Sequence, residues 1–441
     1  MLAATQLRSA LRWLIRADLP APPRTDAEIT AEVEQNYRWN FTVNLLDGVA
    51  FWFGASFISS ATIVPLFISQ LTDSAWAIGV AAMIAQGSWF APQLFTANHV
   101  ERLARKKPVV VNLGLFLERI PLWLMPLAAL LAVRSAGAAV LLFLLAYAWH
   151  GLGAGVVATA WQDMVARCFP VDRRGRFLGI TMFLGAGSGL AAASLSAWFL
   201  ERFPFPLNFA YSFGLAALFI SLSWLFLALT REPAQPSFVP RQSSGQYMRT
   251  LPDIVRRDDN FRRFLLGRLL LALGGMGTGF VTVTAVQRWQ IPNSTVGLYT
   301  LALLIGQTVG NLFFGLLADR RGHKLSLELS GLTGMAAFVV AWLATEPVWY
   351  YAAFVLLGVT SGGVIVSGIL VVMEFCQPEK RPTYVGLANT AVGIISLLAP
   401  LFGAALASYN ANWLFAFSAL FYALSFIILR WWVREPRFND Q

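Results

Sequence analysis

Twelve long apolar runs, separated by short charged turns, constrain the fold of this chain more than any other feature of its sequence. Each run is about 20 residues or longer, which matches the hydrocarbon thickness of a lipid bilayer. Helices are expected, because a helix satisfies its own backbone hydrogen bonds where no water is available. Only 13% of the residues are charged, about half the fraction found in soluble proteins. The runs cover residues 41–70, 76–99, 108–133, 137–166, 174–200, 207–229, 261–287, 294–318, 325–345, 347–374, 382–408 and 412–433.

The chain carries a formal net charge of +10, and the placement of its basic residues indicates a membrane topology. Of 33 Lys and Arg residues, 28 lie at the termini, in alternate loops or at the ends of the runs next to those loops. Arg134, Arg202 and Arg288 lie in the intervening loops, and Arg119 and Arg268 lie deeper inside apolar runs. Cytoplasmic loops are enriched in Lys and Arg. We therefore expect a multi-pass protein of the cytoplasmic (inner) membrane with both termini in the cytoplasm, and no nucleic-acid partner.

Polar segments divide the chain into five predicted parts. Residues 1–37 are predicted as a cytoplasmic amphipathic segment, because arginines recur on one helical face and leucines gather on another. A disordered basic tail is the alternative for residues 1–17. Thr25 and Glu28 have the spacing of a capping box, which predicts a helix start. The remaining parts are a six-helix bundle over 38–230, a cytoplasmic linker over 231–260, a second six-helix bundle over 261–436 and a tail over 437–441.

Four landmarks in the first half of the chain return in the same order in the second half. Asn40-Phe41 opens the first apolar run, and Asn260-Phe261 opens the seventh. The offset between matching landmarks falls from 220 to 203 positions, as shorter loops in the second copy would produce. Six plus six apolar helices with this repeat predict an internally duplicated membrane protein. The other matches are Glu101-Arg102 with Asp319-Arg320, residues 172–179 with 379–386, and Arg231-Glu232-Pro233 with Arg434-Glu435-Pro436.

The turn from Gly315 to Lys324, Gly-Leu-Leu-Ala-Asp-Arg-Arg-Gly-His-Lys, lies between the eighth and ninth runs. It resembles the motif Gly-x-x-x-Asp-Arg-x-Gly-Arg-Lys, which joins the second and third helices of a half in the major facilitator superfamily. The chain resembles that family over about residues 38–436. The resemblance implies an all-α membrane protein with 12 transmembrane helices in two pseudo-symmetric six-helix bundles. It also implies transport by alternating access.

The resemblance further implies a gate of charged residues at the cytoplasmic helix ends. Asp319 would cap the fifth helix near Arg174, and by the repeat Glu101 would lie at the start of the eleventh helix. The motif's first glycine would allow close helix approach. The alternative is that these charges only anchor loops and set topology. The predicted gate residues are Glu101, Arg105, Asp163, Arg174, Gly315, Asp319, Arg320, Gly322, Lys324 and Glu374.

Two ion pairs are implied within this gate, because the family pairs a basic residue of the motif with an acid at the end of the fourth helix of the same half. In this chain the first pair would be Arg105 with Asp163. The second would be His323 or Lys324 with Glu374. Release of these pairs would accompany the alternating-access step.

The chain departs from the family pattern at positions that bear on the mechanism. Ala97 and Ala104 replace both glycines in the first copy of the motif. Tyr147 stands where proton-coupled members carry an arginine in the fourth helix. Residues 185–189 have the glycines of an antiporter fifth-helix signature without its proline, so the exporter signature is partial.

Asp47 and Arg268 are predicted to lie about 10 Å from the cytoplasmic boundary, in the first and seventh helices. A charge at this depth is costly, so it needs a partner or a function. The resemblance places both helices beside a central cavity. We expect that the two side chains meet there or bind opposite charges of a solute. The alternative is that each pairs within its own half and supports the fold.

Glu118, Arg119 and His150 are predicted near the middle of the membrane, in the third and fourth helices. Glu118 and His150 are positioned to share a proton or a hydrogen bond, with Arg119 favouring the ionised carboxylate. The alternative is a buried His that packs on Trp149.

Uncharged amides complete the predicted solute site. Such groups give orientation and selectivity in an apolar pocket, although they also hold helices together. The candidates are Asn44, Gln86, Gln307, Asn311 and Asn389.

These observations predict a secondary transporter, not an enzyme, because no nucleophile triad, nucleotide site or metal-ligand spacing is present in the sequence. Few cavity charges and many aromatic residues favour an amphipathic or lipophilic organic solute and export, with proton coupling possible. Uptake of a nutrient by the same fold is one alternative. A non-transporting factor that handles pigment or lipid, or a receptor, is another. The expected partners are the bilayer, the solute and protons; no cofactor or metal is expected, and a monomer is predicted.

Overall fold

The computed structural model describes residues 14–16, 23–93, 96, 100, 103–170, 173–235, 255–368, 370–376 and 381–436, without the side chains of residues 175, 176, 178, 319, 373 and 381–383. The described residues form helices joined by short turns, and no strand occurs among them. Most of the predicted segment 1–17, most of the linker 231–260 and the tail 437–441 lie outside the described residues.

The helices follow the predicted apolar runs along the chain. Those of the first half are α1 (Asp26–Ser56), α2 (Ile63–Ser69), α3 (Ala75–Gly87), α4 (Val109–Leu131), α5 (Ala136–Cys168), α6 (Arg174–Arg202) and α7 (Leu207–Ala228). Those of the second half are α8 (Asp259–Gly274), α9 (Thr278–Trp289), α10 (Asn293–Arg321), α11 (His323–Leu343), α12 (Trp349–Ser367), α13 (Leu370–Met373), α14 (Arg381–Tyr409) and α15 (Ala411–Ile427).

Ten helices of the described chain are long and apolar enough to cross a bilayer. They coincide with the third to twelfth predicted runs, with α8 and α9 forming one span over Asp259–Trp289. The first two predicted runs, 41–70 and 76–99, coincide with α1 to α3, which are not among the ten. The all-α membrane fold is therefore confirmed, while ten of the twelve predicted spans meet the length and hydropathy that crossing requires.

Side chains with hydrogen-bonding oxygens fix where several helices begin. The Thr25 hydroxyl accepts the backbone N–H of Glu28 at 3.3 Å, and the Glu28 carboxylate accepts the N–H of Thr25 at 2.8 Å. The predicted capping box is therefore confirmed. Asp258 caps α8 in the same way, because its Oδ1 accepts the N–H of Phe261 at 2.9 Å.

Helix α4 is irregular over its first half. Val109–Leu113 and Leu115–Arg119 are wound as wide π turns, and Ile120–Trp123 is a tight 3-10 turn. Pro121 has no backbone N–H, so the regular hydrogen bond to the carbonyl of Leu117 is missing. Helix α5 packs directly against the Leu117 carbonyl. A Cβ atom on Gly153 of α5 would lie only 1.9 Å from the Leu117 oxygen. π turns of this kind are frequent at functional sites.

The chain forms two compact units. The first unit comprises Met1–Ile58, Ser88–Ala192 and Phe205–Arg241. The second comprises Ser59–Gly87, Ala193–Pro204 and Gln242–Gln441. The second unit therefore contains α2, α3 and the last turns of α6 from the first half of the sequence. The predicted domain boundaries at residues 230 and 260 remain predictions.

The same hydrogen-bonded clasp closes the two halves of the sequence, each within one unit. The Asn40 amide donates to the Arg231 carbonyl and accepts the Arg231 N–H, both at 2.9 Å. The Asn260 amide donates to the Arg434 carbonyl at 3.1 Å and accepts the Arg434 N–H at 2.8 Å. The residues that marked the start and the end of each predicted repeat are thus in contact, which gives the repeat a structural basis.

Candidate functional site

The first unit contains a cluster of ionisable side chains inside its helices. Its members, here called the buried charge cluster, are Asp47 of α1, Glu118 and Arg119 of α4, and His150 of α5. Their exposed fractions are 4–8%. Charges withdrawn from water need partners, so the contacts of each member show what the cluster can do.

Asp47 has a neutral hydrogen-bond donor and a cationic neighbour. Its Oδ1 accepts a hydrogen bond from the hydroxyl of Ser223 on α7 at 2.6 Å. The Arg119 guanidinium attracts its carboxylate across the unit. The sequence prediction that Asp47 meets Arg268 stays a prediction, because Arg268 belongs to the second unit.

Glu118 and Arg119 are consecutive residues, yet both side chains are buried and form an ion pair with each other. They lie at the end of the second π turn of α4. The Nε atom of Arg119 is buried and donates to no described atom. The guanidinium therefore still has donor capacity inside the unit.

His150 contacts Glu118 differently from the prediction. Its Nδ1 lies 2.8 Å from the main-chain oxygen of Glu118 and not on the carboxylate. A carbonyl oxygen only accepts, so Nδ1 carries the hydrogen in this contact. The oxygen is accessible because the irregular winding around Pro121 interrupts the ordinary helical hydrogen bonds of α4.

Arg268 of α8 has a different environment. Its side chain is half-buried and has no hydrogen bond or ion pair within the described chain. A Cβ atom on Gly368, after the end of α12, would lie 2.8 Å from its Nη2 atom. The guanidinium thus packs on a bare stretch of backbone.

The predicted amides are half-buried apart from Asn44, and they do not form one hydrogen-bonded group. Asn44 is buried and donates to the Asn40 carbonyl at 2.8 Å and to the Thr230 hydroxyl at 3.1 Å, so it links α1 to the end of α7. Asn311 has a buried Oδ1 with no described donor. The side chains of Gln86, Gln307 and Asn389 make no hydrogen bond within the described chain.

The basic turn before α4 is held by a network in the first unit. Lys106 is fully buried, and its Nζ lies 3.2 Å from Asp163, which also pairs with Arg167 at 3.2 Å. The implied partner Arg105 is exposed instead. The prediction of an Arg105–Asp163 pair was therefore wrong by one residue, because the turn directs Lys106 inward.

Glu232 completes this network at the end of the first half. Its carboxylate accepts the backbone N–H of Lys106 at 2.7 Å and of Lys107 at 2.8 Å. It thus occupies the positive N-terminal end of α4. Burial lowers the pKa of Lys106 and raises the pKa of Glu232.

The corresponding turn in the second half uses glycine. Gly322 has φ +90°, which favours glycine, and it separates α10 from α11. A Cβ atom there would lie 2.8 Å from the carboxylate of Glu435, the repeat partner of Glu232. Lys324 is buried and pairs with Glu328 at 2.6 Å, so its implied pair with Glu374 is not formed.

The other predicted gate residues are placed as follows. Arg174 donates to the carbonyls of Phe169 and Ala166, and so covers the end of α5. A Cβ atom on Gly315 would meet nothing within 4 Å, so the predicted close helix approach does not occur there. Arg320 is exposed and Glu374 is half-buried. Glu101 and the side chain of Asp319 lie outside the described residues.

A close seal joins segments of both sequence halves inside the second unit. The hydroxyls of Thr62 and Thr300 lie 2.6 Å apart, and Thr282 donates to the Ala61 carbonyl at 2.7 Å. A Cβ atom on Gly79 of α3 would lie 2.5 Å from the Cβ of Ala404 on α14. Small residues therefore bring the backbones together at this seal, as in other membrane helix pairs.

Sequence reasoning missed three partners of the predicted site and gate residues. Ser223, which bonds Asp47, lies 176 positions away and carries no local signal. Glu328 follows Lys324 by four residues, a spacing that could have identified the pair. Glu232 enters the sequence analysis only as a repeat landmark, although an acid at the same place in both halves is the signal that could have identified it.

Comparison with known proteins shows which families and folds the chain is similar to. The sequence profile described as Major Facilitator Superfamily matches residues 264–441. The uncharacterized MFS-type transporter YfkF of Bacillus subtilis (strain 168) is 26% identical over 264 residues, which cover 57% of this chain and 62% of the relative. The enterobactin exporter EntS of Salmonella choleraesuis (strain SC-B67) is 26% identical over 309 residues, which cover 65% and 66%. The chain thus spans somewhat less than two thirds of these relatives' length.

Two solved structures share the fold. The nucleoside transporter NupG superposes with a TM-score of 0.66 at 14% identity, over 88% of this chain and 98% of that one. The D-xylose–proton symporter superposes with a TM-score of 0.65 at 12% identity, over 90% and 98%. The relatives are transporters and not enzymes. The helical repeat, the family profile over residues 264–441, these relatives and these folds support a secondary transporter of the major facilitator superfamily.

Proposed function

We propose that this protein exports a small amphipathic organic solute across the cytoplasmic membrane by alternating access, coupled to protons. In this mechanism the two sequence halves rock about a solute site, and only one face is accessible at a time. The similarity to the enterobactin exporter EntS supports the outward direction. Uptake remains the competing direction within the same fold.

The observation that carries the proposal is the seal inside the second unit. It joins the turn before α2, and α3, of the first half to α9, α10 and α14 of the second half. By the positive-inside rule, these segments lie at the face opposite the basic loops, which is the outer face. A transporter must part them to release a solute outward. Two hydrogen bonds and a contact between small residues suit a seal that opens and closes repeatedly.

The buried charge cluster is proposed as the coupling element. Asp47 is buried with one neutral donor, Ser223, and one cation nearby, Arg119. Protonation of Asp47 would remove its attraction to Arg119. The Arg119 guanidinium would then pair with Glu118 alone. A proton would therefore change the balance of charge between α1 and α4. Tyr147 at the usual arginine position leaves Arg119 as the intramembrane cation of the first half.

The decisive experiment is transport in proteoliposomes of known protein orientation, with an imposed pH gradient. The panel comprises amphipathic organic ions of both signs, nucleosides and sugars. We expect accumulation in vesicles whose basic loops face outward and whose lumen is acidic, and its loss when an ionophore collapses the gradient. Accumulation only when the bath is the acidic side would establish proton symport and therefore uptake. Flux that ignores the gradient would remove proton coupling.

A pair of variants tests the coupling element separately. Asp47→Asn is expected to retain exchange of solute down its own gradient and to lose the response to the pH gradient. Asp73→Asn removes an exposed carboxylate between α2 and α3 and serves as the matched control. Equal loss in both variants, or an undiminished gradient response in Asp47→Asn, would exclude Asp47 from coupling.

A further inference from the structure

We infer that Arg268 binds an oxyanion group of the transported solute, so that the solute is an amphipathic organic anion with a carboxylate or a phosphate. The inference rests on the proposed transport function and adds the charge of its substrate. It is carried by the contrast between Arg268 and the other arginines within the helices.

The other two arginines of α8 have partners. Arg262 forms an ion pair with Asp259 at 2.9 Å, and Arg263 donates to the Trp432 carbonyl at 3.3 Å. Arg268 lies about 13 Å along α8 from its first residue, inside the span Asp259–Trp289. It has no partner within the described chain. Of the three arginines of α8, Arg268 lies deepest in the span and is the one without a partner within the described chain.

Arg119 shows how this chain provides a buried arginine with partners of its own. It is 4% exposed, pairs with Glu118 and is attracted by Asp47. An isolated charge at membrane depth is unfavourable and marks a solute or ion pathway when it persists. Arg268 is only half-buried. A solute that reaches it can therefore supply the missing negative charge.

The surroundings of Arg268 suit a ligand with two oxygens. Gly368 has no side chain, and its backbone lies against one edge of the guanidinium. The planar guanidinium presents its remaining N–H groups as a fork, which matches the paired oxygens of a carboxylate or phosphate. A methyl group on Gly368 would lie 2.8 Å from Nη2 and displace the fork.

Ligand binding is tested on the purified full-length chain with a matched set of probes. These are 4-phenylbenzoate, 4-phenylphenyl phosphate and the neutral 4-phenylbenzamide, with binding followed by tryptophan fluorescence. We expect at least one anion to bind the wild type more tightly than the amide. Arg268→Gln should weaken the binding of that anion about 10-fold to 100-fold, as expected for the loss of a hydrogen bond to a charged group. Binding of the amide should not change.

Three further variants separate the role of the charge from general damage. Arg268→Lys should retain part of the anion preference, because it keeps the charge and loses the fork. Gly368→Ala should weaken anion binding while leaving the charge of Arg268 in place. Arg263→Gln, in the same helix, should leave anion binding unchanged. The anion that binds better, carboxylate or phosphate, identifies the oxyanion.

Thermal unfolding without ligand gives an independent readout. Removal of an unpartnered charge relieves its burial cost, so Arg268→Gln should unfold at a higher temperature than the wild type. Arg119→Gln should unfold at a lower temperature, because it leaves Glu118 buried without its partner.

Two results would overturn the inference. One is wild-type binding of the amide as tight as that of both anions. The other is loss of stability in Arg268→Gln comparable to that in Arg119→Gln, which would make Arg268 a structural residue. Either result leaves the proposed function intact if the proteoliposomes still transport a neutral or cationic solute. Failure of all gradient-driven transport, with anion binding retained, would instead reject the proposed function.

Discussion

The side-chain amide of Asn40 pairs with both backbone polar groups of Arg231, with two hydrogen bonds of 2.9 Å. This ties the start of the first half to its end, 191 positions later. Asn260 and Arg434 repeat the arrangement in the second half. The two clasps differ in their access to water, since Asn40 is fully buried and Asn260 is half-buried.

We expect Asn40→Ala to lower the free energy of unfolding by about 1–3 kcal/mol, because the N–H and the carbonyl of Arg231 both lose their hydrogen bond to this fully buried amide. Asn260→Ala should cost clearly less, because water can replace the amide there. Thermal unfolding of both variants in the same detergent measures the difference. Equal losses would show that burial does not distinguish the two clasps.

The adjacent residues Arg105 and Lys106 provide a second test. Lys106→Ala should lower the free energy of unfolding by about 1–3 kcal/mol, because Asp163 and the Val100 carbonyl lose a buried donor. Arg105→Ala should change it by less than about 0.5 kcal/mol, as is usual for an exposed side chain. A larger effect of Arg105→Ala would favour the ion pair that the family motif implies over the one in the structure.

The seal can be locked with a disulfide. Thr62→Cys with Thr300→Cys, in a chain with Cys168→Ala and Cys376→Ala, should form a bond on oxidation and abolish transport, with activity restored by reductant. Thr333 and Thr360 have hydroxyls 2.9 Å apart within the second half and provide the matched control pair. Oxidation of that pair should leave transport unchanged. Full activity of the oxidised Thr62–Thr300 variant would mean that these segments need not part.

Glu232 gives the stability of the protein a defined dependence on pH. Burial holds its pKa in the native state above the value in the unfolded chain. The native state therefore binds more protons between the two pKa values, and its stability falls as pH rises from about 4.3 through the native pKa. Glu232→Gln should remove this contribution. We expect the stability of the wild type relative to Glu232→Gln to decrease with pH over that window; an opposite slope would mean that the hydrogen bonds to Lys106 and Lys107 outweigh the burial.

Sequence reasoning succeeded where the signal was local or periodic. The capping box at Thr25 and Glu28 depends on a spacing of three residues, and its hydrogen bonds form as predicted. The apolar runs depend on the thickness of the bilayer, and ten of them return as spanning helices. The duplicated asparagine and Arg-Glu-Pro landmarks indicated a repeat. In the structure both copies form the same hydrogen bonds between these landmarks.

Sequence reasoning failed where a contact depends on a shift of one residue along the chain or on one irregular helical turn. The motif indicated a basic residue near Asp163 but not whether Arg105 or Lys106 faces inward. The winding of α4 around Pro121 turns the Glu118 carbonyl to His150, which a regular helix would not do. The bond from Ser223 to Asp47 depends on how α1 and α7 are placed side by side, and no spacing along the chain encodes it.

The contact of Gly79 with Ala404 has a consequence for how mutations will act on this protein. Surfaces made of glycine and alanine can separate without any side chain changing its rotamer, so the energy barrier to their separation is low. The same surfaces have no slack, and a methyl group on Gly79 would already lie 2.5 Å from Ala404. The conformational equilibrium should therefore respond strongly to very small substitutions here. We expect that bulk added at this point would hold the proposed outer seal open.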